Sequence, residues 1–283
     1  LHGSRSPASP DHHSIMDLSS TTVGIASLMA IVALIYAGVH IAIALGSVSF
    51  LGVLALKGSL DLPLNLLGLA IADSVSDEAF ATVPLFVMMG LVVSRCGFGR
   101  DVYEFANDVF HGLRGGLGVA TVAANALFAA VTGSSIASAS VFAKVAVPEM
   151  RRYNYGKRFT VGIVAGSSVL GMIIPPSVML IIYAVVTEQS VGAMFLAGVL
   201  PGILLAVAFC LAIILLAAFW PSFVGGEIPV GERIPTATLL RNAVHQIGPV
   251  LLLVFVVLGG IYGGFLTPVE SGAAGTVVAA MLG

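Results

Sequence analysis

The 36 residues between Arg114 and Arg151 constrain this chain most. They read GGLGVATVAANALFAAVTGSSIASASVFAKVAVPEM. Lys144 is the only basic residue among them, and a polar knot, Thr132-Gly133-Ser134-Ser135, sits in the middle. Arg114 precedes the stretch; Arg151, Arg152, Lys157 and Arg158 follow it. Basic flanks favour the cytoplasmic side of a membrane. With both flanks on that side, the segment enters the bilayer and returns. Each half is about 16 residues, short of the ~20 needed to cross the hydrocarbon. A re-entrant helical hairpin with its tip at residues 132–135 fits this pattern. A tilted helix, or two short ones packed through small residues, is the competing reading. Irregular backbone is tolerated at membrane depth only where protein or a water-filled cavity covers it, so the knot is a candidate functional feature.

Composition supports a bilayer. Apolar residues make up 58% of the chain and charged residues 9%, against about 25% charged in soluble domains. Mean hydropathy is +1.06. The sequence predicts an all-α polytopic membrane protein surrounded by lipid. The net charge of −2 is uninformative about nucleic acid, but no basic block suggests it, and no nucleic-acid partner is expected. Cys96 and Cys210 are far apart, and the six histidines form no ligand cluster, so no metal centre or cofactor is expected. No GxSxG occurs, and no His or Asp is placed to activate Ser134 or Ser135, so enzymatic chemistry is not expected.

Apolar runs at 23–36 and 41–56 are either two short spans or one kinked span. Residues 64–80 carry Asp73, Asp77 and Glu78 on what reads as a solvated face of an amphipathic helix. Residues 83–93 form an apolar run, and 100–114 read as an interfacial helix. The run 159–186 is interrupted at Ile174-Pro175-Pro176-Ser177. Spans are expected at 195–219 and 247–265, separated by a loop at 220–241 that opens on Trp220, an interfacial anchor. Glu270 reads as an acid at a helix N-terminus. The chain opens on a polar stretch without an initial Met, with Met16 a candidate start. It closes at Gly283 partway through an apolar run, which reads as an unfinished span.

Two prolines in an apolar run break a helix, because each removes a backbone donor and clashes with the preceding turn. The break leaves carbonyls on one side, suited to Na⁺, and N–H groups on the other, suited to an anion. A kink retained for packing is the alternative. A neighbouring discontinuity at 132–135 strengthens the site reading, since transporters place their sites where broken helices meet. The predicted site comprises Thr132, Gly133, Ser134, Ser135, Ser138, Ile174, Pro175, Pro176 and Ser177, with Na⁺ near Gly133, Ser134 and Ser135. Neutral oxygen ligands of this kind suit Na⁺ better than a transition metal. Lys144 is expected to snorkel toward the cytoplasmic edge.

The segments VPLFVMMG (83–90), TGSSIASAS (132–140), VPEMRRYNY (147–155), GMIIPPSVMLIIYAV (171–185), TEQSVGAMFLAGVLPG (187–202) and FLTPVES (265–271) occur in an order that resembles the large membrane subunit of TRAP (tripartite ATP-independent periplasmic) transporters. The resemblance implies an elevator-type, Na⁺-coupled importer of organic acids, such as dicarboxylates or sialic and other sugar acids. It implies a bacterial inner-membrane location, a small membrane subunit and a periplasmic binding protein as partners, and no cofactor beyond the coupling ion. On that basis residues 1–20 are a disordered or non-native tail, 21–111 scaffold and arm helices, and 112–200 the first transport-domain half. Residues 201–266 are further helices and a loop, and 267–283 the truncated start of a second, inverted half. A stand-alone organic-anion transporter and a non-transporting remnant are the alternatives.

Overall fold

The computed structural model describes residues 13–76, 78–226 and 236–283. Among these every regular element is helical, apart from one isolated antiparallel bridge between Tyr155 and Gly225. The chain divides into two compact units at Ser76.

The first unit holds α1 (His13–Tyr36), α2 (Ile41–Lys57) and α3 (Asp61–Ser76). Gly38, at φ +84°, turns the chain between α1 and α2. A Cβ on Gly52 would lie 3.2 Å from the Ser27 hydroxyl, so the two helices run antiparallel as separate elements rather than as one kinked span. α3 stops at Ser76, short of the expected Phe80, which belongs to the next helix. Asp73 is exposed, as expected. Asp77 and the Glu78 side chain fall outside the described residues.

The second unit begins with α4 (Glu78–Arg95) and α5 (Phe98–Val109), bent by 62° at Gly97. The sequence predicts an interfacial helix over 100–114. Instead, α5 starts at Phe98 and ends at Val109, and it buries Phe98, Val102, Tyr103 and Ala106 against the two helices that follow. Its apolar stripe is satisfied by protein, which period-3.6 patterning cannot distinguish from lipid.

Those following helices are α6 (Gly116–Thr132) and α7 (Ser135–Arg152). Phe128 meets Phe142 edge-on at 5.6 Å, and the Thr121 hydroxyl lies 3.7 Å from the Met150 sulfur. Both pairs are centred on residue 135, which is the register of an antiparallel hairpin. α6 is buried nearly all round and touches α4, α5, α7, α8, α11 and more; an all-apolar helix is stable only in such a position.

α8 (Lys157–Ser168) and α9 (Leu170–Ile173) lead to the proline break, and α10 (Val178–Val186) resumes at a 42° bend. α11 (Val191–Phe219) is the one helix among the described residues that alone is long and apolar enough to cross a bilayer; counting each bent pair as a span raises the number to three. α11 presents Leu196, Leu200, Ile203, Leu204, Val207 and Leu211 outward, a surface suited to hydrocarbon rather than water. Trp220 caps it and is exposed.

The expected 220–241 loop is partly helical, because α12 (Pro221–Val224) and α13 (Thr236–Gln246) occupy its ends. The predicted 247–265 span is three pieces: α14 (Gly248–Val254), a π-helical turn (Phe255–Gly259) and α15 (Gly260–Tyr262). α16 (Pro268–Leu282) starts with a capping box. Glu270 accepts from the Thr267 N–H at 2.8 Å and its own N–H donates to the Thr267 hydroxyl at 3.3 Å, as the acid-at-N-terminus reading requires. α16 then runs parallel to α4, with Gly272 over Leu85 and Phe86, Gly275 over Met89 and Gly283 over Cys96.

Phe128 is fully buried in α6, about one turn before the hairpin's tip. Phe128→Ala should destabilise the unit by about 3–5 kcal/mol through lost contacts and a residual cavity. Phe128→Leu should cost less than half as much. The midpoint of denaturant unfolding in detergent, followed by circular dichroism, checks both.

Candidate functional site at two helix breaks

The α6–α7 break is two residues long. Gly133 takes φ +57° and its N–H caps α6 through the Ala129 carbonyl; Ser134 is extended and is the N-cap of α7. Gly is favoured in the left-handed position, which costs other L-residues roughly 1–2 kcal/mol. The Ser134 hydroxyl accepts from the Ala137 N–H at 3.4 Å. The tip therefore lies where the sequence predicts it.

The second break also lies where predicted, at residues 174–177. Ile174 leaves helical geometry at ψ 123° and Ser177 is the N-cap of α10. The Ser177 hydroxyl donates to the Met172 carbonyl at 2.7 Å, tying off an orphan carbonyl of the broken helix.

The two breaks meet. The Val178 N–H, at the start of α10, donates to the Gly133 carbonyl at 3.2 Å. A Cβ on Gly133 would overlap the Pro176 carbonyl oxygen. Two further glycines let backbone approach the tip: a Cβ on Gly90 would lie 2.6 Å from the Thr132 oxygen, and one on Gly171 would lie 2.9 Å from the Ser134 carbonyl carbon.

A cleft of about 220 Å³ opens at this junction. Ser134, Ser135, Ile136 and Ala137 line it from α7, Val178 and Met179 from α10, and Val87, Gly90 and Leu91 from α4. Thr132, Gly133 and Met172 complete it. Two helix N-termini thus face one cleft. Their first-turn N–H groups have no partners inside their own helices, and no side chain caps α10. Each terminus favours a nearby anion by typically 0.3–1 kcal/mol at exposed sites and more when partly buried. The carbonyl ends of α6 and α9 supply the opposite polarity.

The predicted residues divide into two groups. Thr132, Gly133, Ser134 and Ser135 line the cleft. Pro176 and Ser177 are buried beneath it, against Gly133. Ile174 and Pro175 instead pack against α11, where Gly198 and Gly202 admit them. Ser138 is fully buried, does not line the cleft, and its hydroxyl has no partner among the described residues. Thr132 donates its hydroxyl hydrogen to the Phe128 carbonyl at 3.0 Å, so the hydroxyls of Thr132 and Ser177 have only lone pairs left to offer an ion. Sequence reasoning missed the α4 wall, because nothing local in VPLFVMMG marks which face turns to the tip, and it missed Met172 and Met179, which flank the proline break in an apolar run with no facing pattern. It also missed the buried Asn125–Ser167 hydrogen bond, 2.6 Å, which pins α6 to α8 two turns below the tip. Among the described residues no group of His, Cys, Asp or Glu is arranged to hold a metal.

This junction of two broken helices can be compared with known families. Residues 28–283 match the family model described as Tripartite ATP-independent periplasmic transporter, DctM component. The chain belongs to this family. It is 34% identical over 216 residues to the C4-dicarboxylate TRAP transporter large permease protein of Pseudomonas aeruginosa, covering 76% of the chain and 49% of that protein. It is 31% identical over 210 residues to the sialic acid TRAP transporter large permease protein of Vibrio cholerae, covering 74% and 47%. An ectoine TRAP transporter large permease protein from Halomonas elongata is 28% identical, covering 93% and 59%. The chain thus spans about half the length of these family members. The named relatives are permeases rather than enzymes, in keeping with the lack of a catalytic pattern in the sequence.

Gly133→Ala should be among the most damaging small substitutions here, since it adds left-handed strain of roughly 1–2 kcal/mol to an overlap with Pro176. Gly162, in α8 with nothing near its Cβ direction, is the control: Gly162→Ala should stabilise by roughly 0.5–1 kcal/mol. Thermal unfolding of the two variants in the same detergent should shift in opposite directions.

Proposed function

We propose that this chain forms part of the large permease of a Na⁺-coupled TRAP importer of organic acids in the bacterial inner membrane. In this reading the α6–α7 pair is a re-entrant hairpin and α8–α10 a broken transmembrane helix of a moving, elevator-type domain. A second, inverted half would complete the site. A periplasmic binding protein delivers the substrate, and a small membrane subunit packs on the permease. C4-dicarboxylates and sialic acid are the substrate types named for relatives, and they share a carboxylate.

The observation that carries the reading is the hydrogen bond from Val178 to Gly133, which holds two helix N-termini at one cleft beside two carbonyl ends. Na⁺ sits at the carbonyl side, near Gly133, Ser134 and Ser135. The carboxylate faces the N-termini. Such pairing of opposite helix ends is how broken-helix transporters co-bind a cation and an anion. Neither role requires a charged side chain in the cleft, and none lines it.

In cells expressing the permease with its partner subunit and receptor, uptake of labelled succinate or sialic acid should fall at least about ten-fold when choline replaces Na⁺. Ser134→Ala or Ser135→Ala should raise the half-saturating Na⁺ concentration about five-fold, the equivalent of one oxygen ligand worth about 1 kcal/mol. Uptake that is unchanged in choline would overturn the coupling. Unchanged Na⁺ dependence in both variants would move the ion site away from the tip.

A further inference from the structure

The cleft at the breaks does not end there. Leu91, Ser134, Ile136 and Ala137 also line a second, larger cleft of about 610 Å³, bounded by the end of α4, the start of α5 and one face of α7. That face follows helical spacing, with Ala137, Val141 and Lys144 in line and Ser140 beside them. It leads from the tip at Ser134 to Lys144, roughly 15 Å at 1.5 Å per residue. Three cations, Arg95, Arg100 and Lys144, line this cleft, and no carboxylate does. Arg100 is partly neutralised by Glu104 at 2.8 Å, and both are exposed. Arg95 and Lys144 have no carboxylate within ion-pairing distance among the described residues; Glu149 shares a neighbouring cleft with Lys144. Snorkelling accounts for Lys144 at a membrane edge, but not for Arg95 and Arg100 facing the same cleft from a different helix pair.

A concave surface lined by one sign of charge concentrates counter-ions, and Arg grips a carboxylate bidentately. We infer that this cleft is an anion-waiting site: Arg95 and Lys144 hold the carboxylate of an organic acid beside the hairpin tip before or after it occupies the breaks. The inference rests on the transport reading for its purpose, though its chemistry is independent of Na⁺. An anionic lipid headgroup presents the same kind of oxygen, so the test separates the two.

Ser140 is exposed in the cleft, one helical turn from Lys144. The full chain carrying Ser140→Cys, with Cys96→Ala and Cys210→Ala, is placed in phosphatidylcholine nanodiscs. Its thiol is modified by an anionic (sulfonatoethyl) or a cationic (trimethylammonioethyl) methanethiosulfonate. The anionic reagent should react faster by on the order of ten-fold once intrinsic reactivities are divided out. Lys144→Gln and Arg95→Gln should each reduce that preference at least about three-fold, while Lys144→Arg retains it. Succinate should slow the reaction in the parent and not in Lys144→Gln. No anionic preference, or a preference untouched by both Gln variants, overturns the site. Slowing by phosphatidylglycerol in the disc but not by succinate assigns the cleft to lipid and also overturns it. Succinate protection alongside Na⁺-independent uptake would leave the anion site standing and remove the coupling reading.

Discussion

Inside hydrocarbon a backbone polar group has no water to fall back on, so every helix break must be closed by protein. The junction at Gly133 meets this constraint economically. The break in α6–α7 exposes a carbonyl, the break before α10 exposes an N–H, and each satisfies the other through the Val178–Gly133 hydrogen bond. Much of the second unit is arranged to permit that contact. Gly90 and Gly171 clear the approach of α4 and α9 to the tip, and Gly198 and Gly202 let the proline segment seat against α11. The Asn125–Ser167 bond fixes α6 and α8 relative to one another below it. Gly90 also lines the cleft, whereas a bulkier residue at Gly171, Gly198 or Gly202 acts on the junction from outside it.

The positions of both breaks were legible in the sequence for a simple reason: local covalent chemistry forces them. Gly133 follows an apolar run and supplies a left-handed C-cap, and Pro175-Pro176 cannot continue a helix. A meeting of the two breaks was expected from their closeness in sequence, but what else the tip touches was not legible, because contact depends on tertiary packing. The α4 wall, the seating of Ile174 and Pro175 on α11, and the seclusion of Ser138 all follow from which face of a uniformly apolar helix turns inward, and such helices carry no pattern to say. The same ambiguity explains α5, whose stripe suits a membrane surface as well as the protein face it covers. The π-helical turn at Phe255–Gly259 has no local signal at all.

The junction and the basic cleft divide the work by physical means. The breaks offer partial charges on fixed backbone, which are directional and short-ranged. The Arg95 and Lys144 side chains offer full charges on long stems, which act at a distance and are screened by salt. A ligand moving along the α7 face thus passes from one kind of attraction to the other without crossing a carboxylate.

The glycines of α11 also serve as a depth gauge. At 1.5 Å per residue this 29-residue helix is roughly 43 Å long, against a hydrocarbon thickness of about 30 Å. The proline segment rests on Gly198 and Gly202, roughly 10–17 Å from one end of that rod and about 26 Å or more from the other. The junction therefore lies well in from both tips of the longest helix. On the proposed transport reading, an ion bound there would exchange its bulk hydration for oxygens of the broken backbone.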